Sequence, residues 1–176
     1  QPLLHRLREP IGPLVELSLN GMLPGETVNL PAGGGQVQVQ ARVRSIVPLQ
    51  KATLYFNGQP VEDIALSSDG KKADFQKTVQ ASRSGWYHLR AEGAPANRFP
   101  LDTNYAQGFT NPVWVIVGNQ AIRDRASAEY SLRWIDKLQT LTEAWPGWRS
   151  QKEKDHVYAQ FDEARRIYRG FATEAR

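Results

Sequence analysis

The stretch QVQVQARVR (Gln36–Arg44) decides the fold class. Val37, Val39, Ala41 and Val43 alternate with Gln36, Gln38, Gln40, Arg42 and Arg44. In an extended chain successive side chains point to opposite faces, so one set enters a core and the other meets water. The same period of two recurs on both sides, at Leu14–Leu19, Ala52–Phe56, Phe75–Ala81, Gly85–Ala91 and Pro112–Val117. Turn signals separate these runs: Asn20-Gly21, Pro24-Gly25, Gly33-Gly34-Gly35, Asn57-Gly58, Asp69-Gly70 and Ser84-Gly85. Seven or so short strands punctuated in this way predict an antiparallel β-sandwich of immunoglobulin-like type over residues 1–122. The chain has no cysteine, so the likeness to antibody domains is one of architecture and not of their disulfide.

After Gly118 the period becomes helical. Asp124 is placed as an N-cap, Tyr130, Trp134, Leu138 and Leu141 fall on one stripe, and Glu129 stands one turn before Arg133. Pro146-Gly147 breaks the pattern. Ser150 and Glu153 then have capping-box spacing, Val157, Phe161, Ala164, Tyr168 and Phe171 form a second stripe, and Asp162 is spaced to pair with Arg166. Two apolar stripes need cover. Residues 123–176 are therefore expected to form a two-helix hairpin packed on itself and on the sandwich, as one structural unit. The fold class is mainly β with C-terminal α.

Composition narrows the function. With 176 residues and 40% of them hydrophobic, the chain is long and apolar enough to bury a core. Its longest apolar run, Pro112–Val117, falls far short of the roughly 18 to 20 residues of a membrane span, so no span is expected. The net charge of +4 is spread evenly, residues 1–122 and 123–176 each holding 11 basic and 9 acidic side chains. A nucleic-acid binder concentrates its basic charge, so no nucleic-acid partner is expected. The sequence begins at Gln1 without Met or a signal-like segment, as a processed chain or a fragment would.

The chemistry-bearing residues do not assemble into a recognisable catalytic set. His5, His88 and His156 lie on distant segments without metal-ligand spacing, and no GxSxG elbow is present. GGGQVQVQ runs into a strand and lacks the Lys-Ser/Thr and helix of a phosphate loop, so it reads as a turn. Glu62 and Asp63, adjacent in an extended segment, face opposite sides and cannot act as a paired acid and base. No catalytic, cofactor-binding or metal-ligating residue is assigned. The aromatic residues remain: Trp86, Tyr87 and Trp114 could form a sugar-stacking platform, but for Trp86 and Trp114 packing between layers is the expected role. Trp134, Trp145 and Trp148 are expected to seal the hairpin.

The run IGPLVELSLNGMLPGETVNL (Ile11–Leu30), followed by SGWYHLRA (Ser84–Ala91) and FTNPVWVIVG (Phe109–Gly118), resembles the C-terminal region of CehA/McbA-type metallohydrolases of the PHP (polymerase and histidinol phosphatase) superfamily. The similarity extends into the helical hairpin. It rests on the order and spacing of motifs that are individually short. Members of that family place a metal-binding α/β barrel before the sandwich. This chain lacks the barrel, and Pro10-Ile11 stands where the family has Thr-Asn. The resemblance thus implies a non-catalytic accessory domain that covers or stabilises a hydrolase barrel, with any divalent metal held by that barrel. It also tilts the location towards the bacterial periplasm or exterior. The alternative is an independent module that binds carbohydrate or another cell-surface ligand. Thr110 and Asn111 are expected to set the start of a strand, since Pro112 holds Asn111 extended and withholds a donor, with contact to the barrel as their second reading.

Overall fold

The computed structural model describes residues 12–95 and 105–175. The features noted at His5 and Pro10-Ile11 lie outside them. The chain divides into two compact units, Gln1–Ala121 and Ile122–Arg176.

The first unit is a sandwich. Its strands are β1 (Leu14–Leu19), β2 (Thr27–Leu30), β3 (Gly35–Arg44), β4 (Lys51–Phe56), β5 (Gln59–Asp63), β6 (Lys72–Ala81), β7 (Gly85–Pro95), β8 (Tyr105–Phe109) and β9 (Val113–Val117). One sheet has the order β1-β3-β6; the other runs β2-β9-β7-β4-β5, with β8 also paired to β7. The alternation of β3 settles the first sheet, because Val37, Val39 and Val43 are fully buried at 0% exposure. They meet Leu54, Leu89, Val113 and Val115 of the second sheet in a single core cluster that extends from Leu17 to Val117. The neighbouring pairings are antiparallel, with one departure from expectation: β2 and β9 run parallel, Thr27 beside Trp114 and Leu30 beside Val117.

Both Asn-Gly signals are tight turns with two left-handed residues, Asn20 (φ 48°) with Gly21 (81°) and Asn57 (49°) with Gly58 (77°). This is the geometry whose twist matches paired strands. The second joins β4 to β5, a strand that periodicity misses because Pro60 and a run of exposed side chains interrupt the alternation. β2 is too short to show a period, and the Ala and Gly of YAQGF hide β8.

The second unit is a hairpin of α1 (Arg125–Glu143) and α2 (Gln151–Glu174). Asp124 caps α1 by accepting from Ser127 N–H (2.8 Å), and Ser150 caps α2 by accepting from Glu153 N–H (3.1 Å). The Glu153 carboxylate reaches back to Arg149 N–H (2.8 Å), one residue beyond the N-cap amide that a closed capping box would use. Two expected pairs are re-sorted: Asp162 meets Arg165 rather than Arg166, whose partner is Glu163, and Arg133 lies over the Tyr130 ring.

The apolar faces of the helices need a larger correction. α2 turns the predicted stripe inward, with Val157, Phe161, Ala164, Tyr168 and Phe171 half-buried. On α1, however, Tyr130, Trp134, Leu138 and Leu141 are exposed, and the buried side chains are Ala128 and Ile135. α1 carries two apolar phases, and the phase with smaller side chains is the buried one. Trp145 is also exposed, whereas Trp148 is half-buried against Tyr158 and donates its indole N–H to Thr142 O (3.3 Å). Arg165 crosses between the helices, its guanidinium bonded to Asp136 (2.9 Å) and to Gln139.

Because Leu89 is wholly buried at the middle of the second sheet, Leu89→Ala should destabilise the sandwich by about 2–5 kcal/mol. Chemical denaturation followed by tryptophan fluorescence measures this, and a loss below 1 kcal/mol would place the core elsewhere.

Candidate functional site

The segment GFTNPVWVIVG crosses β7 in two halves that are out of phase. Before the break Phe109 pairs with Arg90, and after it Val113 pairs with Tyr87. The β8–β9 side advances four residues while β7 advances three. Thr110 and Asn111 therefore share the place opposite Leu89, which makes a one-residue β-bulge. Thr110 N–H donates to Leu89 O (2.9 Å), and Leu89 N–H donates to Thr110 Oγ1 (3.1 Å). The hydroxyl thus supplies the acceptor that the bulge displaces from the ladder. Thr110 is buried at 8% exposure, and Asn111 is exposed. Pro112 has no N–H to leave unpaired, while its carbonyl accepts from Gly25 N–H (2.8 Å) and ties the bulge to the turn before β2.

The bulge decides what the sheet shows to solvent. Val113, Val115 and Val117 point into the core, so Trp114 and Ile116 point out. Trp114 is in register with Trp86, and both are half-buried on the outer face rather than packed between layers as expected. Either phase of PVWVIVG is apolar, and the valines take the inner one. Tyr87 faces the core at 7% exposure against Phe56, ring centroids 4.7 Å apart, where burial raises its phenol above the ordinary value. It leaves the candidate ligand set.

Three further rings join the outer face. His88 lies between Tyr55 (4.8 Å, stacked) and Trp86 (5.4 Å), and Phe109, exposed at 65%, stands beside Arg90 on the far side of the bulge. Sequence reasoning missed Tyr55 and Phe109 as partners of the tryptophans; Tyr55 joins them through its register with His88, and the phase of Phe109 becomes readable only when the bulge at Thr110-Asn111 is counted. Burial, and secondarily Arg90, pushes the His88 imidazole below its ordinary value, so it is neutral at pH 7. Among the described residues the charges on this face are paired, Arg90 with Glu92 (2.6 Å) and Lys51 with Asp63 (3.6 Å). The surface is ring-rich and electrically balanced.

Glu62 pairs with Lys77, while Asp63 pairs with Lys51 and accepts from Thr53 (2.8 Å). Gly34 (φ 75°) turns the chain into β3. An open depression of about 710 Å³ lies along the first sheet, where Arg42 is bonded to Glu16 and Asp74. Among the described residues no three His, Asp or Glu side chains gather as metal ligands, and no helix is long and apolar enough to cross a membrane.

No family model and no curated protein matches the sequence. Solved structures similar to part of it include the CARDB domain of a Pyrococcus furiosus protein in complex with di-metal ions, at 16% identity over 61% of this chain and 96% of that one, with a TM-score of 0.35. Fibronectin(III)-like modules of Clostridium thermocellum CbhA are similar at 17% identity over 60% and 99%, TM-score 0.34. The chain is an immunoglobulin-like β-sandwich module followed by two helices, as its own strand order and core establish.

Two measurements check this account. Thr110→Val should cost about 1–3 kcal/mol by stranding the Leu89 N–H, while Thr110→Ser, which keeps the hydroxyl, should lose much less. Equal losses in the two variants would remove the bonding role. Separately, a histidine held below its ordinary value of 6.5 binds its proton more readily in the unfolded chain. Its stabilising contribution is complete above pH 6.5 and is lost as pH falls through its lower folded value. Melting temperature against pH should therefore fall less steeply on the acid side in His88→Gln than in the parent.

Proposed function

We propose that this chain is a non-catalytic accessory sandwich of a metal-dependent, PHP-type hydrolase, covering or stabilising a barrel that supplies the metal and the activated water. The observation that supports this most is where the family-like motifs fall. Asn20-Gly21 forms the tight turn after β1, GWYHLRA is the central strand β7, and Thr110-Asn111-Pro112 forms the bulge that β7 holds. All three have scaffold roles, as the frame of an accessory domain would. The second reading is an independent module for carbohydrate or another cell-surface ligand, favoured by the rings on the outer face of β4, β7 and β9.

The coding sequence upstream of Gln1 separates the two: a histidine-rich barrel is expected, and a signal peptide alone would favour the second. On the protein itself, incubation with manganese or zinc followed by dialysis should leave no stoichiometric metal by elemental analysis, and a phosphoester and ester screen should show no turnover. A retained metal whose removal abolished turnover would overturn the accessory reading.

A further inference from the structure

We infer that the outer face of β4, β7 and the β8–β9 strand is a stacking platform for a neutral, extended glycan, with Trp86, Phe109 and Trp114 as its principal contacts. The inference rests on the second reading above and gives it a site. Its first support is composition: the rings of Tyr55, Trp86, His88, Phe109 and Trp114 outnumber the aliphatic side chains in register with them, Ile116 on β9 and Pro60 beside Tyr55 at the β5 edge. A protein interface core of this kind would mix rings with aliphatic side chains. Flat rings with polar neighbours suit a ligand whose faces are C–H and whose edges are hydroxyls.

The second support is charge. Arg90–Glu92 and Lys51–Asp63 neutralise one another, so among the described residues of this face no unpaired cation awaits a phosphate or a uronate. His88, neutral at pH 7, offers one donor and one acceptor, which matches a hydroxyl. Asn29 and Thr27, exposed beside Ile116 and Trp114, add further hydrogen-bonding groups at the β2 edge.

The third support is spacing. The partners of Phe109 and Trp114 on β7 are Arg90 and Trp86; at about 3.3 Å per residue this separates the two rings by roughly 13 Å along the sheet. That span exceeds a single sugar ring. Oligosaccharides should therefore bind where monosaccharides do not.

The test is affinity electrophoresis of the whole chain in gels containing hydroxyethyl cellulose, galactomannan, xylan or laminarin, with polygalacturonate as the anionic comparison. Retardation by at least one neutral polysaccharide is expected. Phe109→Ala and Trp114→Ala should each weaken it about tenfold, the loss of one desolvated stacking contact. Phe109 is exposed, so its variant should stay folded, and Trp134→Ala on α1 should bind as the parent does. Retardation that survives both face variants would overturn the site while leaving the module reading in place. No retardation by any neutral polysaccharide would overturn both. Preference for polygalacturonate would overturn the neutral class, and self-association lost in Phe109→Ala would assign the face to a protein contact instead.

Discussion

The hydrogen bond from Leu89 N–H to Thr110 Oγ1 holds together two halves of a strand that are one residue out of step. Without a side-chain acceptor there, the extra residue would leave a buried amide unpaired at the centre of the sheet, a cost comparable to a lost hydrogen bond. With it, β7 can pair with β8 along one stretch and β9 along the next. Uninterrupted alternation would send Phe109 and Val113 to the same side. The bulge reverses the phase, so the valines fill the core while Phe109 and Trp114 share the outer face. Core composition and surface chemistry thus depend on one hydroxyl.

The two outer faces of the sandwich answer solvent differently. Beyond β3 and β6 the surface is polar, with Gln36, Gln38 and Gln40 opposite Gln80, Thr78 and Gln76, and with Arg44 gripping both oxygens of Asp74 (2.8 Å each). Those side chains are exposed, and such pairs add little stability. The hydrogen bond and charge of Arg44 hold the Asp74 carboxyl below its usual range. Beyond β7 the surface is aromatic and half-buried. Since both faces flank the same valine-rich core, the difference between them concerns what each meets outside the sandwich rather than how the sandwich is built.

Much of the fold was legible in the sequence, for reasons that particular residues make plain. Val37 to Val43 alternate cleanly because one face of β3 is wet and the other dry, and the Asn-Gly pairs announce their turns through backbone angles that few other residues tolerate. The central strands were harder to orient. In PVWVIVG both phases are apolar, so periodicity identifies a strand without saying which side faces in, and size misleads because tryptophan looks like a core residue. α1 poses the same problem: Tyr130, Trp134, Leu138 and Leu141 form a stripe as regular as that of Ala128 and Ile135, and only packing decides between them. The outer-face site was half visible for this reason, Trp86 and Trp114 by residue type and Tyr55, His88 and Phe109 only through register.

The parallel pairing of β2 with β9 bears on how the sandwich forms. Thr27 and Trp114 are neighbours in the sheet although nearly the whole unit separates them along the chain. Closing so long a loop costs entropy before any contact rewards it, and sheets completed by distant pairings form slowly. During synthesis the edge of the second sheet must wait, β2 exposed, until Val117 has emerged. The last strand made is thus the one that gives an early strand its place.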